Sequence, residues 1–185
     1  MSFKSTFVIL VIGVCLGFSL ALADSSFTGF FTDKPTSVGV AYVEPIFSPG
    51  SQIAFENTVR SARSSIELEV YTFSSTVLQE ELAAAVARGV DVRVILEKSI
   101  SSNLPRSREL LARGVKVKWG SSSFSLTHAK FLVIDNETVI VGSNNWTFHS
   151  FNLNREASVK VKNAEFTSKF MEVFENDWQQ GAIAS

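Results

Sequence analysis

The sequence predicts an α/β domain built on a mixed but mostly parallel β-sheet, with helices on both of its faces. From Ser37 onward, short runs rich in β-branched residues alternate with amphipathic segments, which is typical of strands and helices packed in layers. The tetrapeptide Ala-Arg-Gly-Val occurs at 87–90 and again at 112–115, each time where a helix would end and a strand begin. No linker interrupts this pattern, so we expect residues 24–185 to form a single domain.

The elements of the first half follow from local patterns. Alternating apolar residues over 66–73 predict a strand. The segment 75–89 predicts a helix, because Thr76 and Gln79 have capping-box spacing and Gly89 stands where a helix would end. In chain order, the predictions are a strand over 37–43, a helix over 48–65, a strand over 66–73, a helix over 75–89 and a strand over 90–97.

The second half continues the alternation after a polar loop. Its last predicted helix has a long amphipathic pattern, and its strands are short and rich in valine and isoleucine. In chain order, the predictions are a helix over 107–114, a strand over 115–119, two strands over 129–135 and 138–142, a strand over 156–162 and a helix over 163–180.

The two central strands of the second half predict an antiparallel hairpin, because only two residues separate them. A two-residue turn places Lys130 opposite Ser143 and His128 opposite Asn145. Directly paired residues share a face of the sheet, so we expect these four polar side chains to meet at one end of the hairpin.

The N-terminal segment 1–23 has the layout of a secretory signal peptide, with Lys4, an apolar run over 7–22 and a small-residue site ending at Ala23. An uncleaved membrane anchor is the alternative, because the apolar run is close to the minimum length for a span. We expect a periplasmic or secreted bacterial protein without stable membrane association after cleavage.

Composition narrows the chemistry of the mature chain. The single cysteine, Cys15, lies inside the signal segment, so the mature chain has no disulfide, cysteine nucleophile or cysteine metal site. The formal net charge of the full chain is −1, and loss of Lys4 makes it more negative by one. A polyanion must therefore bind to a local basic patch. We expect no metal and no other cofactor, because the two histidines have no carboxylate at ligand spacing.

The predicted cluster contains groups that suit a phosphate diester. His128 is a nucleophile or base, Lys130 is a fixed cation, and Ser143 and Asn145 donate hydrogen bonds. Such groups can hold a phosphate and stabilise the charge that develops during its displacement.

Six residues form the pattern His-x-Lys-x4-Asp followed by Gly-Ser-x-Asn: His128, Lys130, Asp135, Gly142, Ser143 and Asn145. This pattern resembles the HKD signature of the phospholipase D superfamily. Because the chain carries one copy, it is similar to the small exported bacterial endonucleases of that superfamily, which act as homodimers. The resemblance implies a phospholipase D-like fold and a metal-independent, sequence-nonspecific endonuclease acting on DNA, with RNA use left open.

The resemblance also implies a role for each residue. His128 would attack phosphorus to form a phosphohistidine, and His128 of a second subunit would act as the general acid. Lys130 and Asn145 would bind the phosphate oxygens with help from Ser143, and Glu156 would orient His128. Gly142 is given a structural role as part of the motif. Asp135 is given one because the predicted register places it far from the phosphate.

His149 leaves a second arrangement open, in which His128 and His149 act together within one chain. The resemblance favours the dimer, because single-motif members pair two copies of the motif across a two-fold axis.

Several further residues are candidates for nucleic-acid binding. Aromatic side chains can stack on bases, and basic side chains can contact the phosphates. The aromatic candidates are Trp119, Phe124 and Trp146, and the basic candidates are Arg106, Arg108, Lys116, Lys118 and Arg155.

Two alternative functions remain open. One is a lipid phosphodiesterase, tethered to a membrane if residues 1–23 are retained, and the other is a binding module that has lost turnover.

Overall fold

The computed structural model describes Gly39 and residues 42–184 of the chain. The predicted signal peptide and most of the strand predicted over 37–43 lie outside these residues. The strands of the described part are β1 Tyr42–Phe47, β2 Ser65–Val70, β3 Asp91–Leu96, β4 Lys116–Trp119, β5 Lys130–Ile134, β6 Thr138–Gly142, β7 Ala157–Lys162 and β8 Ala182–Ile183. The helices are α1 Gln52–Ser61, α2 Thr76–Ala87, α3 Asn103–Ala112, α4 Phe148–Asn152 and α5 Ala164–Gln180.

One sheet contains all eight described strands, in the order β1-β7-β6-β5-β2-β3-β4-β8. The predicted mixed α/β sheet is confirmed, but the expectation that it is mostly parallel is wrong. Only β2–β3 and β3–β4 are parallel, and the other five neighbouring pairs in the described part are antiparallel. Parallel neighbours need a crossover that returns the chain to the same end of the sheet. Here α2 and α3 provide such crossovers, and both end in the repeated Ala-Arg-Gly-Val tetrapeptide.

Two apolar cores lie on opposite faces of this sheet, which confirms the predicted helices on both faces. The larger core joins β2 residues such as Leu68 to Leu82 of α2 and Leu110 of α3. The smaller core joins Phe131 of β5 to Phe174 of α5. Strand β2 is buried on both faces, as expected for a central strand flanked by helices.

Helix α1 begins four residues later than predicted, and the starts of α2 and α3 also differ from those predicted. The side chain of Ser75, rather than Thr76, caps α2 by accepting a hydrogen bond from the backbone N–H of Leu78 at 3.3 Å. Helix α3 begins at Asn103, four residues before the predicted start. Pro105 lies in its first turn, where the missing N–H of proline breaks no helical hydrogen bond.

The hairpin of β5 and β6 differs from its predicted register by one residue. Ile134 lies opposite Thr138, and the three residues 135–137 form the connection. The first of these, Asp135, leaves the strand with φ 54°, and Asn136 has φ 53°. Both residues tolerate this left-handed conformation better than most, so the local sequence supports a three-residue loop.

Candidate active site

The catalytic candidates lie at the end of the sheet where β2, β3 and β4 finish. Strand β5 runs in the opposite direction, so its first residue, Lys130, pairs with Val70, the last residue of β2. His128 precedes β5 by two residues, and Gly142 ends β6 beside Ser158 of β7. The fold thus brings the two halves of the polar pattern to the same end of the sheet.

His128 and Lys130 are in direct contact. The Nζ atom of Lys130 lies 3.3 Å from Nδ1 of the imidazole and donates a hydrogen bond to the His128 carbonyl at 2.7 Å. The imidazole is exposed and the lysine is half-buried. Because an ammonium group can only donate, Nδ1 is the acceptor in this contact. In the neutral ring of this contact the proton is therefore on Nε2, so attack by Nε2 requires the other tautomer, with the proton on Nδ1.

Partial burial lowers the pKa of the Lys130 ammonium, and the charge of the Glu156 carboxylate partly offsets this shift. Burial opposes ionisation of Glu156 too. Hydrogen bonds from Ser143, Asn154 and Ser150, together with the Lys130 charge, outweigh it and hold the pKa of this carboxyl below its ordinary value. The site therefore contains a cation and an anion that stabilise each other.

Glu156 is hydrogen-bonded to residues other than the one predicted. Its oxygens accept from Ser143 Oγ at 2.6 Å, Asn154 Nδ2 at 3.0 Å and Ser150 Oγ at 3.2 Å. Within the described part of one chain, no hydrogen bond joins it to His128, so the structure does not show it orienting that imidazole. Instead, Glu156 fixes the Ser143 hydroxyl beside the start of β7.

The predicted pairing of Lys130 with Ser143 and of His128 with Asn145 is wrong, because the register of β5 and β6 is shifted by one residue. A one-residue shift exchanges the two faces of a strand. Here the regular strand ends at Gly142, and the irregular backbone beyond it lets Asn145 accept from the Thr72 N–H at 3.3 Å. Asn145 thus lies next to the end of β2, close to the His128 side of the site.

Asn144, which separates the two motif residues, is a buried structural residue. Its side-chain amide donates to Ser48 Oγ at 3.0 Å, and its carbonyl oxygen accepts from Ser158 Oγ at 2.6 Å. These bonds link the segment after β6 to β7 and to the residue that follows β1. They satisfy an amide that would be costly to bury alone.

Gly142 and Asp135 have contacts that belong to the scaffold. A Cβ atom at Gly142 would overlap the backbone of Ala157 and Ser158, so only glycine fits against β7 here. The Asp135 carboxylate lies at the far end of β5 and accepts from the backbone N–H groups of Ser64 at 2.8 Å and Ser65 at 3.0 Å. Burial opposes its ionisation, but these and further hydrogen bonds lower its pKa below the ordinary value.

Two of the predicted base-stacking residues are buried. Trp119 is 6% exposed and Trp146 only 2%, and Trp146 packs edge-on against Phe73 in the core. Both tryptophans fill the space beneath the site end of the sheet. Phe124, which is 46% exposed, lies in the loop that leads to His128.

Three of the basic candidates are held by other groups of the protein, and two are exposed. Lys116 forms an ion pair at the opposite end of the sheet, Lys118 donates to a backbone carbonyl of α5, and Arg106 is held by Glu109 and the Ser74 carbonyl. These three side chains are therefore engaged by other groups of the protein, and Lys116 does not lie beside the site. Arg108 and Arg155 are exposed, and Arg155 directly precedes Glu156.

Three residues of the site were not predicted from the sequence. Tyr71 follows β2 and packs its ring against His128, with 4.4 Å between ring centroids. Glu97 follows β3 and accepts from the Thr127 N–H at 2.7 Å, which fixes the residue before His128. Asn103 is buried and donates to the backbone carbonyls of Tyr71 and Glu97, both at 2.8 Å. The feature that could have indicated them is their position: Tyr71 and Glu97 each follow a buried strand, and Asn103 begins a helix.

His149 lies on the short helix α4, exposed, with its ring near that of Phe148. In the described part of the chain its ring is not packed against His128, which contacts Tyr71.

Among the residues that the structure describes, no group of three histidine, cysteine, aspartate or glutamate side chains is arranged to hold a metal ion. No described helix has the length and apolar character needed to cross a membrane.

An open mixed sheet with helices on both faces, and with His128 in contact with Lys130 at one end, defines an α/β protein with a polar site at the end of its sheet. A family model described as cardiolipin synthase, PLD-like domain, matches residues 55–178. The chain belongs to the phospholipase D superfamily of phosphodiesterases, as its motif predicted.

Individual relatives agree with this membership. The mitochondrial cardiolipin hydrolase of Mus musculus is 31% identical over 140 residues, which are 74% of this chain but only 63% of that protein. The Xenopus laevis protein of the same name is 32% identical over 157 residues, 77% of this chain and 74% of that protein. Among solved structures, the phospholipase D family member Nuc from Salmonella typhimurium has a TM-score of 0.73 at 26% identity, covering 78% of this chain and 98% of Nuc.

Proposed function

We propose that this protein is a metal-independent endonuclease that hydrolyses DNA without sequence specificity, through a phosphohistidine at a site shared by two subunits. The observation that carries the proposal is the exposed His128 imidazole in contact with the Lys130 ammonium. A neutral imidazole beside a fixed cation is suited to attack an anionic phosphodiester, because the cation stabilises negative charge as the new bond forms.

The proposed reaction has two displacements at phosphorus. In the first, His128 carries its ring proton on Nδ1, and the lone pair of Nε2 forms a bond to phosphorus while the P–O bond to the leaving group breaks; a second imidazolium gives its proton to the leaving oxygen. In the second, that imidazole takes a proton from water as the water oxygen attacks phosphorus and the P–N bond breaks. Histidine suits both roles, since its proton affinity lies near neutral pH.

Lys130 and Asn145 are proposed to bind the phosphate oxygens, with the Ser143 hydroxyl as a further donor. Partial burial strengthens the field of the Lys130 charge, and Glu156 holds Ser143 in place. The exposed basic and aromatic candidates for contact with the remaining nucleic acid are Arg108, Arg155 and Phe124.

A second copy of the chain is proposed to supply the second imidazole. His149 is the only other histidine, and it packs beside Phe148 rather than against His128. A two-fold dimer would place two copies of His128 together and provide one attacking and one protonating ring. Glu156 has no hydrogen bond to His128 of its own described chain, so its proposed orienting role belongs to the assembled dimer.

The test is nicking of supercoiled plasmid DNA by the purified protein in excess EDTA. We expect the wild type to convert the plasmid to open-circular and linear forms, His128→Ala to show no cleavage, and the matched control His149→Ala to keep most of the activity. Loss of cleavage in EDTA would contradict the metal-independent reaction. Near-complete loss in His149→Ala would contradict the dimeric site and favour the single-chain pair.

A lipid phosphodiesterase is the second candidate, because the similar mouse and frog proteins are named cardiolipin hydrolases. The structure adds a specific observation: Phe124 and Leu126, 46% and 47% exposed, project from the loop that leads to His128. Exposed apolar side chains beside a site suit contact with acyl chains. Equal amounts of enzyme should be given plasmid DNA or cardiolipin vesicles. Hydrolysis of cardiolipin without plasmid nicking would replace the nuclease proposal.

The third candidate is a binding module without turnover. It requires that purified wild-type protein bind DNA or vesicles while hydrolysing neither substrate. The contact between His128 and Lys130 favours an enzyme, because a module that only binds needs no nucleophile beside its cation.

Export to the periplasm or the medium is also proposed, on the layout of residues 1–23. Expression of the full chain in a Gram-negative host, followed by mass spectrometry of the N-terminus, tests it. We expect a soluble periplasmic form that begins at Asp24. An intact Met1 in the membrane fraction would contradict cleavage and favour the membrane-anchored alternative.

A further inference from the structure

The ring of Tyr71 contacts both groups that form the centre of the site. Its centroid lies 4.4 Å from that of the His128 imidazole, with an angle of 58° between the planes. The Nζ atom of Lys130 lies over the same ring, 5.3 Å from its centroid. One aromatic side chain thus borders the nucleophile and the cation together.

The backbone that carries Tyr71 is held firmly. Its carbonyl accepts from Asn103 Nδ2 at 2.8 Å, and the Phe73 N–H donates to Asn103 Oδ1 at 2.9 Å. Asn103 itself is fully buried at the start of α3. The pairing of Val70 with Lys130 sets the end of β2 beside the start of β5. The backbone that carries the ring therefore has a fixed position relative to the site.

We propose that Tyr71 is a positioning residue for the reaction, and this inference rests on the proposed phosphodiesterase function. Its ring limits rotation of the exposed His128 imidazole, because the edge or face of one ring blocks the other. Its electron-rich face also attracts the Lys130 ammonium. Together these contacts hold the plane of the imidazole and keep the Lys130 ammonium beside it, so that the ring stays in one orientation for attack.

The ring makes both contacts, so phenylalanine can replace tyrosine while leucine cannot. Without the ring, His128 would sample several side-chain rotamers, and Lys130 would lose one of the contacts that hold it near Nδ1. Displacement of a reacting atom by about 1 Å can lower a rate on the order of 100-fold. We expect this loss in kcat rather than in KM, because Tyr71 acts on the reacting group and need not bind the substrate.

The experiment compares wild type, Tyr71→Phe, Tyr71→Leu and the control Phe148→Leu on bis(4-nitrophenyl) phosphate. Phe148 is also an exposed aromatic residue beside a histidine, but that histidine is His149. We expect Tyr71→Phe and Phe148→Leu to keep kcat within about twofold, and Tyr71→Leu to lose roughly 10- to 100-fold with an unchanged melting temperature. Full kcat in Tyr71→Leu, or equal loss in Tyr71→Phe, would overturn the proposal.

A second measurement separates this inference from the proposed function. The imidazole proton resonances of His128 are recorded by NMR in the same variants, and a His149→Gln spectrum assigns the two histidines. We expect the Tyr71 ring current to shift the His128 resonances in wild type and Tyr71→Phe, and this shift to vanish in Tyr71→Leu. Unchanged His128 resonances in Tyr71→Leu would refute the ring contact, whether or not the protein hydrolyses any diester.

Discussion

Glu69 provides a quantitative prediction, because it is a carboxyl group buried in an apolar layer. It lies on β2, 3% exposed, between Ile95 and Phe131 of the neighbouring strands. In the described part of the chain its Oε2 atom has no hydrogen-bond partner. Burial, and then the nearby charge of Asp177 on α5, raise the pKa of Glu69 from 4.5 to about 8. At neutral pH the folded protein therefore holds this carboxyl in its neutral form.

The direction of the pH effect follows from this shift. In the unfolded chain Glu69 ionises above pH 4.5, while in the folded chain it stays protonated up to about pH 8. The free energy of unfolding therefore falls as the pH rises from 4.5 to about 8, by about 1.4 kcal/mol for each pH unit. If the whole shift is realised, the loss reaches roughly 5 kcal/mol, a large part of the ordinary stability of a domain.

The substitution Glu69→Gln should remove this pH dependence. Glutamine has nearly the same shape, carries no proton that titrates, and can donate its amide to Asp177. We expect Glu69→Gln to match the wild type near pH 4.5 and to exceed its stability by about 3 kcal/mol at pH 7.

The measurement is urea unfolding, followed by circular dichroism, at pH values from 4.5 to 8.5. Glu172→Gln, on the exposed side of α5, is the matched control and should show the wild-type pH dependence. Parallel stability curves for wild type and Glu69→Gln across pH 5–8 would refute the buried neutral carboxyl.

Three other predictions test the scaffold and the assembly. Asp135→Asn keeps a residue that tolerates positive φ but removes a carboxylate whose pKa is lowered in the folded protein. At neutral pH this substitution should lower the free energy of unfolding in urea by about 1–3 kcal/mol. The difference from the wild type should disappear as the pH falls below the folded pKa of Asp135. Gly142→Ala should destabilise the protein by about 1–3 kcal/mol and reduce diester hydrolysis, because its Cβ overlaps β7; wild-type stability would contradict the close approach. Co-expression of wild type with His128→Ala at equal levels should leave about a quarter of the activity if each site needs two intact subunits; about half would show that one chain suffices.

The fold was predictable wherever one local pattern determined it. The helical crossovers around β3 carry clear helix periodicity and repeated glycine stops, and these gave the layered α/β class. The balance of parallel and antiparallel pairs was not predictable, because it depends on where strands distant in sequence join the sheet. Strand β7, for example, lies between β6 and β1, and no local pattern indicates that position.

The motif residues and their chemistry could be read from the sequence alone, since a histidine, a lysine and neutral donors at fixed spacing indicate a phosphodiester site. The spatial arrangement was different in detail. The loop between β5 and β6 has three residues instead of two, and its first residue, Asp135, binds the backbone N–H groups of Ser64 and Ser65. This longer loop shifts by one residue the register that placed Ser143 and Asn145.

Two properties of the site were decided only by tertiary packing. Exposure is the first: Trp119 and Trp146 lie close to the motif in sequence, but both are buried, because the space under the sheet ends needs large apolar side chains. The second is the contact of Tyr71 with His128, which are 57 residues apart in the chain. Local sequence fixes which groups are present, whereas strand pairing across the sheet fixes which of them touch.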